Sequence, residues 1–199
     1  MLIKSLLRTA LVLGVLVVGP SASALEPSPG ASPIQVALAG PPTIHREMLA
    51  EIAAWISRNF GMPASGSLPR VEIVSPERLI AVRYRGFRDG LQTDAEPTPG
   101  DLRLAEHMRD VVALYEDSSQ TIYLREGWSG STPADVSLLV HEMVHHLQNL
   151  AGLKFDCPQA REKAAYAAQR EWLAAFGRDF FAEFETDPVT LMLRTTCGL

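Results

Sequence analysis

Apolar residues recur along the chain at two spacings, and their order predicts an α+β fold. Ile44, Met48, Leu49, Ile52, Trp55, Ile56 and Phe60 lie on one face of a helix, with Thr43 as a candidate N-cap and Gly61 as its stop. Val71, Glu72, Ile73 and Val74 alternate as a short strand. Ser75 and Pro76 form an N-cap and first-turn pair, which predicts a short helix over 78–85 ending at Gly86, with a strand over 79–84 as the alternative. The polar, turn-rich stretch 89–101 reads as a surface loop too short to separate two domains. Residues 111–116 and 121–124 flank Asp117-Ser118-Ser119-Gln120, which predicts a β-hairpin with a four-residue loop.

The strongest helical pattern follows. Leu139, Val140, Met143, Val144, Leu147 and Leu150 share an apolar face in a helix predicted over 133–151. Thr132 is its N-cap, Pro133 suits the first turn, Asp135 completes a capping arrangement, and Gly152 ends it. Pro158 opens another helix with Ala164, Ala165, Ala168, Trp172 and Ala175 along one stripe, ending at Gly177. The elements describe one mostly helical domain over 43–199, with a small sheet or hairpin before the 133–151 helix.

The first residues have a different character. Lys4 and Arg8, the apolar run 9–19 and the small residues Ala22, Ser23 and Ala24 read as a secretory signal over 1–24. The apolar run is too short to cross a hydrocarbon layer about 30 Å thick as a helix. Export and removal are expected, with a retained N-terminal anchor as the alternative. Residues 25–42, rich in Pro, Ser, Gly and Ala, read as a flexible lead-in. Removing the leader leaves 199 − 24 = 175 residues and takes away two positive charges, so the net charge moves from −5 to −5 − 2 = −7. An acidic chain without a basic run argues against nucleic acid or an anionic membrane surface as partner. The two cysteines, Cys157 and Cys197, are expected to pair in an exported protein, with a thiolate ligand to a metal as the alternative.

Within the 133–151 helix lies His141-Glu142-x-x-His145. Positions i and i+4 share a helix face, so both imidazoles can reach one metal ion. Glu142 lies about 100° round the helix, placed to act on a water as general base without being a ligand. The third donor is expected from the next helix, where Glu162 would be returned to the histidines by a turn over 152–157. Asp156 is the nearer rival, and Glu171 lies too far along. Tyr166 shares a face with Glu162 and is a candidate to stabilise an oxyanion, or else a packing residue between the helices. Gln148 and Gln169 are candidate partners for the histidine ligands, which need their second nitrogen held. His146 reads as a neighbour of the ligands or a surface residue, and His107 and His45 as solvated or locally bonded.

This combination of HExxH on one helix and a glutamate on the next resembles the zincin metallopeptidases of the gluzincin type. The wording His141-Glu142-Met143-Val144-His145-His146-Leu147-Gln148, followed by Cys157-Pro158 and Arg161-Glu162-Lys163, is similar to that of a group of small exported bacterial zincin-like proteins. The chain departs from the metzincin extension, having Gln148 and Ala151 where that motif has Gly and His, and Arg161 before Glu162 departs from the thermolysin-type signature. The resemblance implies a minimal zincin-like core. It also implies one Zn²⁺ per chain held by His141, His145 and Glu162, with water in the fourth position. The expected activity is hydrolysis of peptide or protein substrates, with Glu142 as general base. The other class kept open is a metal-binding or interaction module with little turnover.

Overall fold

The computed structural model describes residues 44, 46–63, 66–91 and 111–198. The expected leader, the lead-in, Thr43, His45, His107 and most of the loop expected over 89–101 lie outside the described residues. The elements are α1 (Arg46–Phe60), β1 (Arg70–Val74), α2 (Pro76–Leu91), β2 (Ala113–Glu116), β3 (Thr121–Arg125), α3 (Pro133–Leu150), α4 (Pro158–Ala175), α5 (Phe180–Glu183) and α6 (Pro188–Thr195). The fold is α+β, mostly helical, with a small three-stranded sheet in the order β1-β3-β2. No helix among the described residues is long and apolar enough to cross a membrane.

The hairpin forms as expected, with β2 antiparallel to β3 and Tyr115 opposite Ile122. Its partner on the other side is β1, which runs parallel to β3 with Val71 opposite Ile122. Side chains alternate across a strand, so this register gives the sheet two apolar faces. Tyr115, Ile122 and Leu124 join the main core, whereas Tyr123 packs with Leu79 and Val82 of α2 on the other face. The sheet is therefore covered on both sides, which suits the apolar run of β3.

One sequence expectation fails at α2. The helix continues through Gly86 to Leu91, and the alternative strand over 79–84 does not form. A glycine inside a helix costs only about 1 kcal/mol relative to alanine, so Gly86 permits a stop without enforcing one.

The main core gathers α1, the sheet, α3 and α4. Ile52 and Ile56 from α1 meet Leu139, Val140, Met143 and Val144 from α3, with Trp172 of α4 closing the cluster. Trp172 stands edge-on to Trp55 of α1, ring centroids 5.4 Å apart. α3 is more enclosed than a one-faced amphipathic helix: from Val136 to Gln148 every residue except Leu138 is buried. A helix buried nearly all round must satisfy its polar side chains inside the protein, and that requirement builds the site described below.

Both ends of α3 are closed as its sequence indicates. The Thr132 hydroxyl accepts from the Asp135 amide, with Pro133 in the first turn. At the other end Gly152 takes φ +62°, Leu153 N–H donates to Gln148 O and Gly152 N–H to Asn149 O, a complete Schellman stop. The chain then turns back into α4, whose N-cap is Cys157. Cys157 and Cys197 form a disulfide across a separation of 40 residues. A crosslink of that span restricts the unfolded chain by an estimated ~4 kcal/mol. The disulfide ties the end of the chain to the start of α4, and such bonds persist in oxidising compartments.

The packing predicts opposite responses at two apolar positions. Ile56 is 0 % exposed, and Ile56→Ala should lower the unfolding free energy by about 2–5 kcal/mol. Val189 on α6 is 61 % exposed, and Val189→Ala should change it by less than about 0.5 kcal/mol. Urea unfolding of the two variants checks both values.

Candidate metal centre

α3 and α4 lie antiparallel, as pairs of side chains along their length show: Ser137 with Gln169, His141 with Tyr166, and Gln148 with Arg161. This pairing brings Glu162 to the two histidines. His141 Nε2 and His145 Nε2 are 3.3 Å apart, and Glu162 Oε2 lies 3.1 Å from the first and 3.3 Å from the second. These three donors form a group that can hold a metal ion. Asp156, the rival third ligand, is not part of it, and Glu142 also stays outside. Cys157, the other alternative ligand, is consumed in the disulfide.

The second nitrogen of each imidazole is held by a glutamine. His141 Nδ1 lies 3.1 Å from Gln169 Oε1, and His145 Nδ1 lies 3.1 Å from Gln148 Oε1. The neighbours of each amide settle which end faces the ring. Gln148 Nε2 donates to the Arg161 carbonyl (3.0 Å), and Arg161 Nε donates to Gln148 Oε1 (3.4 Å). A carbonyl only accepts and a guanidinium only donates, so the Gln148 oxygen must face His145. Ser137 donates its own proton to Ala134 O (2.7 Å), which leaves its oxygen to accept from Gln169 Nε2 (3.2 Å). The Gln169 oxygen then faces His141. An amide oxygen requires N–H from each ring, so both neutral imidazoles carry hydrogen on Nδ1 and a lone pair on Nε2.

Two Nε2 lone pairs and a carboxylate oxygen thus converge within 3.1–3.3 Å, a repulsive arrangement unless positive charge lies among them. Burial raises the Glu162 carboxyl, but positively charged imidazoles donating to it from His141 and His145 outweigh burial and hold the group below the usual carboxylate range, the place that a bound cation would take between neutral rings. Glu142 behaves in the opposite way. It is 7 % exposed, and burial first, then the Glu162 charge, push its carboxyl up to about 7 against the pull of His141. The two carboxyls are driven apart by their surroundings, one toward a fixed charge and the other toward exchanging a proton near neutral pH.

Tyr166 lies where the helical spacing put it, its ring 4.6 Å from that of His141. Its hydroxyl accepts from Arg194 of α6 (3.3 Å), and burial, the main influence, raises its pKa. His146 corrects a sequence expectation. It is completely buried and is not a surface residue. Its Nε2 donates to Ser67 O (2.6 Å), and its Nδ1 accepts from the Tyr115 hydroxyl (3.1 Å), which itself accepts from Asn149. Burial holds its pKa down, so His146 is a neutral tie between α3, the hairpin and the chain before β1.

Arg161 is the organiser that the sequence did not mark. It forms a two-pronged bond to Asp117 in the hairpin loop (2.7 and 2.6 Å) and donates to His145 O (3.3 Å) as well as to Gln148. The guanidinium thereby ties the hairpin, α3 and α4 together around His145. Its sequence signal was only its place beside Glu162, because Asp117 lies 44 positions away.

Removing the glutamines should loosen the donors. Gln148→Ala and Gln169→Ala should each weaken divalent-ion retention about 10- to 100-fold, as read by chelator competition. Burying Glu142 also has a cost in the metal-free protein. Its folded pKa is about 7 against an ordinary 4.5, so the folded state holds the extra proton and stability falls as pH rises between these values. Glu142→Gln should match the parent near pH 4 and exceed it by on the order of 2–3 kcal/mol at pH 8. Urea unfolding with chelator present measures the difference, and a gap independent of pH would contradict the desolvated carboxyl.

Neither a curated protein nor a solved structure matches the chain. A family model does match, over residues 41–199, a span that contains the three donors, both glutamines, Glu142 and Arg161. With that match, the chain belongs to the family described as Domain of unknown function (DUF6647).

Proposed function

We propose that this protein is an exported zinc-dependent peptidase. The observation that carries the reading is the convergence of His141 Nε2, His145 Nε2 and Glu162 Oε2, with both tautomers set by glutamines and a buried Glu142 adjoining but not joining them. Zinc fits the donor set: tetrahedral bonds of about 2.0–2.1 Å place neighbouring ligand atoms about 3.3 Å apart, and the observed separations are 3.1, 3.3 and 3.3 Å. Three protein donors is also the number catalytic zinc sites use, whereas closed structural sites use four. A bound Zn²⁺ would supply Lewis acidity, polarising a carbonyl and making water more acidic.

The chain's own groups supply the rest. Glu142, with a proton affinity near neutrality, takes the proton of the attacking water and hands it to the leaving amine. Tyr166, kept protonated by burial, donates to the oxygen on which negative charge develops. A purely structural metal site has no use for a buried carboxylate that lowers the stability of the metal-free protein. The Cys157–Cys197 disulfide and the leader-like residues 1–24 support an exported location.

Mass spectrometry of the mature, oxidised protein should find one zinc per chain, with weaker retention in Glu162→Ala. Glu142→Gln should keep the zinc and lose hydrolysis of a quenched-peptide library, whereas His141→Ala should lose both. Cleavage by Glu142→Gln at the wild-type rate would sink the general-base assignment.

A further inference from the structure

The C-terminal helix α6 is hydrogen-bonded to Tyr166 beside the candidate site through Arg194. α6 buries no residue completely, and Val189, Met192 and Leu193 on it are 61, 50 and 51 % exposed. Apolar burial therefore does little to hold it, and a covalent bond does more: Cys197, just past its end, is joined to Cys157, the N-cap of α4. Among the described residues, the side-chain hydrogen bond from α6 to the rest of the fold is Arg194 Nη1 to the Tyr166 hydroxyl, 3.3 Å.

Tyr166 is one helical turn beyond Glu162 and is gripped on two sides. Its ring meets that of His141 at 4.6 Å and that of Phe180 at 5.9 Å. A guanidinium has no acceptor, so the tyrosine oxygen accepts and the hydroxyl keeps its own proton. Among the described residues that proton has no other partner. A hydroxyl whose oxygen is bonded to a cation is a stronger donor than a solvated phenol, because the bonds polarise one another.

We propose that Arg194 is a positioning residue that holds Tyr166 beside His141 as a ready donor, and that the Cys157–Cys197 disulfide keeps Arg194 in place. What the donor acts on, a substrate carbonyl oxygen gaining charge, rests on the peptidase reading above. The arrangement explains why an exposed arginine on a thinly packed helix meets the site at all. The crosslink closes within one turn of Arg194 and near the start of the helix that carries Glu162 and Tyr166, so the end of the chain completes a site whose other groups lie on α3 and α4.

Two measurements on the mature, zinc-loaded protein test this. With a quenched-peptide library as substrate, Arg194→Ala should retain zinc and lower kcat by on the order of 10- to 100-fold with KM little changed. Tyr166→Phe should lose as much, the double variant no more, and Arg194→Lys should recover part of the loss. Cys157→Ser with Cys197→Ala, in which serine preserves the N-cap, should resemble Arg194→Ala. Independently of turnover, the ring resonance of Tyr166 in ¹³C-tyrosine protein, identified by its absence from Tyr166→Phe, should shift in Arg194→Ala and shift likewise in the cysteine variant. An unmoved resonance in Arg194→Ala overturns the proposal, as does unchanged kcat in an active enzyme. Zinc bound with no turnover, but with the resonance shifted, sinks the peptidase reading and leaves the positioning role standing.

Discussion

Three atoms that repel one another must be held about 3 Å apart at the edge of the apolar core, and most of this fold answers that constraint. His141 Nε2, His145 Nε2 and Glu162 Oε2 present lone pairs to one point between α3 and α4. Left to themselves the imidazoles would rotate or pick up protons. Gln169 and Gln148 fix the rotation and the neutral tautomer by accepting from the opposite nitrogen of each ring, and they are oriented in turn by Ser137 and by Arg161 with its carbonyl. A chain of directional bonds, each with one permitted sense, converts two flexible rings into fixed donors.

Rigidity at this point is drawn from elements far from it. The sheet supplies Asp117, on the hairpin loop, to hold Arg161, and Tyr115 to hold His146. α1 contributes Ile52 and Ile56, which seat the apolar side of α3, so that its polar residues have no freedom to turn outward. The Schellman stop at Gly152 sets where the chain reverses, and thereby which residues of α4 stand opposite the histidines. Glu142 is the exception, a buried acid whose raised pKa lowers stability near neutral pH and for which the fold alone offers no use. Polar groups held at such a cost mark functional sites.

Much of this was legible in the chain itself, for reasons of short range. The HExxH spacing, the Thr132-Pro133 start, the Gly152 stop and the Pro158 restart all act within a turn or two of helix, where residue identity constrains geometry directly. Glu162 could be named because a short connection between two capped helices leaves it few places to go. Gly86 misled because a helix tolerates a glycine when nothing beyond it forbids continuation. His146 reads from the sequence as either a neighbour of the ligands or a surface residue because its partners, Ser67 and Tyr115, lie 79 and 31 positions away.

Sequence alone therefore determined the first helix, the two helices of the candidate site, the caps of α3, the hairpin, the cysteine pair and the side chains that could hold a metal, because periodicity and capping are local; it did not mark the short helices α5 and α6. Only the tertiary structure decided which nitrogen of each histidine faces the centre and that Arg161 binds Asp117. It also decided that β1 joins β3, that α2 runs past Gly86, and that Arg194 reaches Tyr166. Those outcomes depend on hydrogen bonds and packing between residues brought together by the antiparallel pairing of α3 with α4, the strand register and the closing disulfide. No residue announces such a partner until the chain has folded around it.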